Sequence, residues 1–190
     1  YSKQHYTISV KNLVSKPYID LTIAVLKNFG IQIEHVQYAT FNIEPYQVIK
    51  NDVVIEVEGD WSSAAFWLVA AAINGQIVIE GLDENSVQAD KKIIDLLTDV
   101  GAVIKRVDNK ITVEKSSLLC FEYDATDSPD LFPILAILAT QCIGQSVIAG
   151  LSRLIHKESN RIDSIKAMLH SFGVQYSIQG NSLVIDGKQT

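Results

Sequence analysis

Methionine is almost missing from this sequence: in 190 residues it occurs once, at Met168, and the first residue is Tyr1. A chain so begun is expected to be a piece of a longer protein. Cysteine is scarce too. Cys120 and Cys142 stand in no CxxC or metal-ligand spacing, which argues against a disulfide-built scaffold and reads as two reduced thiols of a cytoplasmic protein. Positive charge is in deficit, 16 Lys and Arg against 22 Asp and Glu, a net charge of -6. That disfavours a chain that coats nucleic acid or a membrane surface and leaves small anions as ligands only where cations gather locally. Long apolar runs are absent as well. The longest, residues 64–73, is too short to span a bilayer, and no basic n-region with an apolar h-region opens the chain. His5, His35, His156 and His170 form no ligand pattern, and there is no GxGxxG, Walker-type loop or GxSxG elbow. What remains is an ordinary globular composition, 47% hydrophobic and 20% charged, enough for one large or two small cores.

The chain repeats itself. An apolar residue, a glycine and a small or β-branched residue close three helical stretches, at "FGI", "VGA" and "FGV", with Gly30, Gly101 and Gly173 lying 71 and 72 residues apart. Each is a helix C-cap signal, because glycine takes the left-handed conformation without steric cost. A two-strand pattern follows each, with Asp108-Asn109 and Gln179-Gly180 as turn residues. A second landmark recurs: "AAFWLVAAAINGQIVIEGL" is echoed by "LFPILAILATQCIGQSVIAGL", with Gly75 and Gly144 separated by 69 residues. Each full unit reads as strand, buried helix, strand, amphipathic helix, then two strands. The period is too long for the usual solenoids. The expected fold class is α/β (α+β) with mixed sheets, built from about two and a half copies of a βαβαββ module. Residues 1–51 read as the second half of one module, two full modules follow, and "PYQVIKND" is the expected linker.

Four helix starts gather groups able to hold an anion, since a helix N-terminus presents unpaired N–H groups and a partial positive charge. In "VSKPYIDLTI", Ser15 stands as the cap, Pro17 suits the first turn and Asp20 complements the dipole; the hydroxyls of Ser15 and Tyr18 also suit a phosphate, although capping alone explains the same residues. In "GDWSSAAF", Asp60 reads as a structural cap. In "DATDSPDLFPIL", Asp127 or Ser128 caps, Pro129 takes the first position and Asp130 lies in the first turn. Asp130 either compensates the dipole or is a carboxylate at a cleft edge, able to accept a proton or bind a hydroxyl.

The fourth start is "SRLIHKESNRIDSIKAML", read as one helix over residues 152–169. Ile162, Ile165, Met168, Leu169 and Phe172 form its apolar stripe, while Asn160, Asp163, Lys166, His170 and Ser171 face away. Lys157, Glu158 and Arg161 fall on the apolar side. Partial burial makes unpaired charges costly, so a ligand or an opposing domain is expected to complete them. Arg161 suits a bidentate grip on a carboxylate, Lys157 a compact charge for phosphate or carboxylate, and Glu158 a proton shuttle.

These stretches resemble the 3-phosphoshikimate 1-carboxyvinyltransferase (EPSP synthase) family, through "SKPYID", "VEGDWSSAAF", "SPD" and "KESNR", in matching order and spacing over essentially the whole chain. The resemblance implies a two-domain protein, three βαβαββ modules to a domain, with the active site between them. Residues 1–56 would then be the end of the second domain and 57–190 two modules of the first. The implied reaction moves enolpyruvyl from phosphoenolpyruvate to the 5-hydroxyl of shikimate 3-phosphate through a tetrahedral adduct and releases phosphate, with no metal or organic cofactor. By position, Ser15 resembles a ligand of the shikimate phosphate, with Tyr18 beside it. Asp130 resembles the carboxylate that binds the 5-hydroxyl and accepts its proton. Lys157 resembles the lysine near both substrates, Glu158 the proton donor to the phosphoenolpyruvate methylene, and Arg161 an arginine on its carboxylate. Arg153 stands at a substrate-binding position where some members have Asn, and Asn160 where many have Asp. The family's N-terminal lysine, other phosphoenolpyruvate-binding arginines, Ser-Ser-Gln cluster and C-terminal lysine have no counterpart, so this chain alone is expected to be inactive. The implied parent is a monomer with neither nucleic acid nor membrane as partner, and the piece by itself is expected to self-associate through exposed half-domain surfaces.

Two other readings are weighed against this one. The related transferase acting on UDP-N-acetylglucosamine shares the modules, but "SKPYID" and "KESNR" argue against it, and neither Cys120 nor Cys142 matches its loop cysteine in context. A non-catalytic α/β repeat scaffold or an RNA-end-processing relative would let Lys157, Glu158 and Arg161 go to alanine without loss of ligand binding, or would show a basic stripe, which the sequence lacks.

Overall fold

The computed structural model describes residues 3–155 and 160–188. Two compact units divide it: residues 1–57 with 87–89, and residues 58–86 with 90–190.

The first unit holds β1 (Tyr6–Ser9), α1 (Lys16–Asn28), β2 (Ile33–Val36) and β3 (Thr40–Ile43). Its antiparallel sheet has the order β1-β3-β2, with Phe41 of the central strand buried. Helix α1 stops as its sequence dictates: Gly30 turns left-handed at φ 87° and the Ile31 N–H reaches back to the Leu26 carbonyl at 3.0 Å. Ser15 does occupy the cap position, but at φ 56° and ψ 43°, and its side chain makes no capping hydrogen bond. Asp20 departs from expectation. It lies beyond the first turn, and its carboxylate accepts from the Tyr38 hydroxyl rather than serving the dipole.

The second unit contains two modules. In the first, α2 (Trp61–Asn74) and β4 (Gln76–Glu80) are followed by a 3-10 turn (Ala89–Lys92), α3 (Ile93–Asp99), β5 (Val103–Val107) and β6 (Lys110–Glu114). Its antiparallel sheet runs β4-β6-β5. The second module is complete: β7 (Glu122–Asp124), a 3-10 turn (Pro129–Leu131), α4 (Phe132–Gln141), β8 (Gln145–Ala149), a 3-10 turn (Leu151–Leu154), α5 (Arg161–Ser171), β9 (Tyr176–Gln179) and β10 (Ser182–Asp186). Its order is β7-β8-β10-β9, with β7 parallel to β8 and the other pairs antiparallel. Helices α2 and α4 are apolar nearly all round, as a helix buried on most sides must be, and they pack against each other at the centre of the core. Leu68, Leu97, Phe132, Leu135, Leu138, Ile148 and Leu169 are all inaccessible to solvent there.

The expected opening strand of the first of these modules is not formed. Gly59 donates to the Gly81 carbonyl at 2.9 Å, but Val54 and Val57 are 97% and 88% exposed, and residues 53–60 enter no strand. The long helix read over residues 152–169 is also broken. After Gly150, left-handed at φ 97°, the N–H groups of Leu151 and Ser152 go to the carbonyl and side chain of Asn181. The chain makes a 3-10 turn at 151–154, and the α-helix starts only at Arg161. Ile165 and Leu169 carry its buried stripe, while Phe172, at its C-cap, is 64% exposed. The two-residue hairpin loop between β9 and β10 is Gly180-Asn181, one residue later than the sequence pattern placed it. Among the described residues no helix is long and apolar enough to cross a membrane.

Candidate functional site

Asp130 is set by the stretch between β7 and α4. Asp124 closes a local turn on the Thr126 N–H at 2.9 Å, which pulls its carboxyl below the ordinary range through hydrogen bonds from Thr126. Ala125 donates to the Ala149 carbonyl at 3.0 Å and Ser128 to Ala125 at 3.2 Å. Ser128 takes the cap position of the 3-10 turn, yet its hydroxyl is spent on the Tyr123 hydroxyl, 2.8 Å away, so neither it nor Asp127 caps by side chain in the way expected. Burial pushes the Tyr123 phenol up. Pro129 stands first in the turn as its missing N–H allows. Asp130 follows, half-buried.

Arg161 opens α5, and the structure brings it to Asp130 across 31 residues of sequence. Its Nη1 donates to Asp130 Oδ1 at 2.6 Å, and both side chains are little more than a quarter accessible, 27% and 28%. A cation in the first turn of a helix opposes the macrodipole. Asp130 compensates it, and Asp163, in the same first turn, accepts from Asn160 Nδ2 at 2.6 Å. Arg161 is thus a charge set against the local dipole rule and held by a carboxylate far away in sequence.

Arg153 lies half-buried in the 3-10 turn 151–154. Lys157 and Glu158, the other two members of the expected trio, lie outside the described residues. Ser15 and Tyr18 belong to the first unit, at the start of α1, where the Tyr18 N–H donates to the Ser15 carbonyl at 3.1 Å. Two contacts of the same helix carry no signal in the sequence: the Tyr38 hydroxyl on Asp20, and the Lys16 ammonium 5.4 Å from the centre of the Tyr38 ring. Asp60, by contrast, caps α2 as read, accepting from the Ser62 N–H at 2.9 Å and the Ser63 hydroxyl at 2.5 Å, and these bonds, Ser63's foremost, hold its carboxyl low. A concavity of about 190 Å³ beside Trp61 is also unforeseen; in its lining Arg106 meets Glu84 at 3.3 Å and Lys91 donates to the Glu84 carbonyl at 2.8 Å. Among the described residues no three His, Cys, Asp or Glu gather as a metal site would need.

The sequence profile of EPSP synthase (3-phosphoshikimate 1-carboxyvinyltransferase) matches residues 1–190. A 3-phosphoshikimate 1-carboxyvinyltransferase of Methanocorpusculum labreanum is 38% identical over 175 residues, 92% of this chain and 41% of that protein. One from Pyrococcus abyssi is 37% identical over 186 residues, 98% of this chain and 44% of its own length. Among solved structures, an EPSP synthase from Acinetobacter baumannii superposes with a TM-score of 0.77 at 23% identity, covering 99% of this chain and 44% of that one. The enolpyruvyl transferase NikO from Streptomyces tendae gives 0.68 at 18% identity, over 96% and 42%; at such identities these two show the fold alone. The chain thus spans about two-fifths of the length of the curated relatives it matches. With one complete βαβαββ module beside a second that lacks its opening strand, and a profile that covers every residue, the chain belongs to the EPSP synthase family.

Proposed function

We propose that this chain forms part of an enzyme that transfers the carboxyvinyl group of phosphoenolpyruvate to the 5-hydroxyl of shikimate 3-phosphate, a cytoplasmic step toward aromatic amino acids. The observation that carries the reading is the Asp130–Arg161 pair, a carboxylate and a guanidinium from two element starts, held at 2.6 Å and only partly open to water. In the proposed roles Asp130 accepts the proton of the 5-hydroxyl as its oxygen bonds to C2 of phosphoenolpyruvate, and Glu158 delivers a proton to the methylene carbon. The tetrahedral adduct then loses phosphate while a proton leaves the new methyl group, so the carboxyvinyl double bond is restored. Arg161 holds the carboxylate of phosphoenolpyruvate, exchanging one carboxylate partner for another. Lys157 lies near both substrates, Arg153 faces the shikimate ring, and Ser15 with Tyr18 takes the shikimate phosphate. The chemistry asks for no metal or organic cofactor. In this proposal residues 1–56 end the second domain of the parent, residues 57–190 supply two modules of its first, and the parent works as a monomer.

A chimera tests it: the Methanocorpusculum labreanum relative with its matching segment replaced by this chain. Phosphate release from phosphoenolpyruvate is expected only when shikimate 3-phosphate is present, and to fall by orders of magnitude in Lys157→Ala and Glu158→Gln. The 190-residue chain alone is expected to release none above a no-protein control. A folded chimera that is inactive, or that prefers UDP-N-acetylglucosamine as acceptor, refutes the assignment.

A further inference from the structure

Between β2 and β3 the backbone makes a costly turn without the residues that ease it. Gln37 and Tyr38 both lie in the left-handed region, at φ 50° and 56°, and Ala39 closes the turn on the Val36 carbonyl at 2.9 Å. Such mirror-image turns are normally given to Asn, Asp and Gly; the β5–β6 turn does the same with Asp108 and Asn109 at φ 48° and 60°. Strain that persists because its surroundings hold it is a pointer to a role.

What the turn delivers is the Tyr38 side chain. Its hydroxyl lies 2.9 and 2.8 Å from the two oxygens of Asp20, a proton shared across the carboxylate. Its ring stacks on His35 with centroids 4.2 Å apart, and its N–H donates to His35 Nδ1 at 3.3 Å. The Lys16 ammonium stands over the ring face, 5.4 Å from the centroid, within the range where a cation is attracted to the ring quadrupole. Lys16 and Asp20 are four residues apart on α1, the spacing at which opposite charges meet on one helix face. Tyr38 stands in that contact and offers each partner something else: a hydroxyl to the carboxylate and a π-face to the ammonium.

We propose that Tyr38 is a positioning residue that keeps Asp20 from neutralising Lys16. The Lys16 ammonium, adjacent in sequence to Ser15, then serves as a further cation for the phosphate of the acceptor substrate. The identity of that anion rests on the function proposed above; the competition between Tyr38 and Lys16 for Asp20 does not. Without the Tyr38 hydroxyl, Asp20 turns to Lys16, and the start of α1 loses a positive charge where it is needed.

Tyr38→Phe keeps the ring and removes only the hydroxyl, and Tyr38→Phe combined with Asp20→Asn removes the competitor as well. Shikimate 3-phosphate titrated into the chain, followed by NMR, is expected to bind about tenfold more weakly to Tyr38→Phe, the loss of one charge-assisted contact, and to within about twofold of the original in the double variant. Ammonium-selective NMR is expected to show Lys16 in contact with Asp20 in Tyr38→Phe only. Rescue by Asp20→Asn separates positioning from a general loss of structure, which a second substitution would not repair. Unchanged affinity in Tyr38→Phe, absence of rescue, or a Lys16 resonance indifferent to both changes overturns the inference. If the chain takes up no shikimate 3-phosphate yet Lys16 switches partner as described, the positioning stands and the substrate assignment falls.

Discussion

Breaking the Asp130–Arg161 pair has a calculable cost. A unit-charge pair about 4 Å apart between charge centres is worth about 4 kcal/mol at an effective dielectric constant near 20. Desolvation and the ordering of two side chains return most of it. Exposed pairs are worth about 0–1 kcal/mol, whereas removing one member of a buried pair costs about 3–5 kcal/mol. With accessibilities of 27% and 28% this pair falls between those limits, and a coupling of about 1.5 kcal/mol follows. Arg161 alone is a misleading probe, because deleting a cation from the first turn of α5 relieves an unfavourable dipole contact of a few tenths of a kcal/mol. A double-mutant cycle removes that bias. Asp130→Asn, Arg161→Met and the double variant are compared by urea unfolding at about 0.02 M and about 0.5 M salt. The coupling is expected to fall by less than half at high salt, as suits a pair shielded from bulk water. A coupling under about 0.5 kcal/mol, or one abolished by salt, shows a surface pair with no special environment and refutes the reasoning.

Other outcomes follow from the same structure. In native protein a thiol reagent is expected to react with Cys120, which is exposed, while Cys142, fully buried with its thiol pushed up to about 12, reacts only on unfolding. Equal labelling of both by mass spectrometry contradicts this. Asp60→Ala is expected to cost about 1 kcal/mol at pH 7; because the folded carboxyl titrates below its ordinary 3.8, the difference from the parent persists down to about that pH and vanishes below it. Gly187→Ala is expected to be strongly destabilising, since a Cβ there would lie 2.1 Å from the Cys142 carbonyl and 2.6 Å from that of Ala139; a melting temperature within about 2 °C of the parent's would count against the packing at the end of β10.

What the sequence reveals and what it hides divides along local and non-local physics. Gly30, Gly101 and Gly173 all turn left-handed where the pattern puts helix ends, at φ 87°, 94° and 68°, because a C-cap depends on its own few residues. The Asp60 cap is legible for the same reason. Residues 152–155 are not, since the 3-10 turn there is tied to Asn181, about thirty residues downstream, which accepts from the N–H groups of Leu151 and Ser152. The opening strand before α2 fails for want of a partner ladder, which no local pattern reports. At the candidate site, the phase of Arg161 does signal a charge turned toward the core side, but the partner is Asp130, a residue singled out separately. Lys16 and Tyr38 escape notice altogether: nothing in "HVQYAT" looks like a turn, and only the fold brings that tyrosine onto α1.

The central claim is that Arg161 gives up a protein carboxylate to take the carboxylate of phosphoenolpyruvate. Steady-state phosphate release by the chimera carrying Arg161→Met tests it most directly. The account predicts a KM for phosphoenolpyruvate raised at least about tenfold, the loss of one charge-assisted contact, with the KM for shikimate 3-phosphate within about twofold of the parent. A folded variant in which neither KM moves would contradict it.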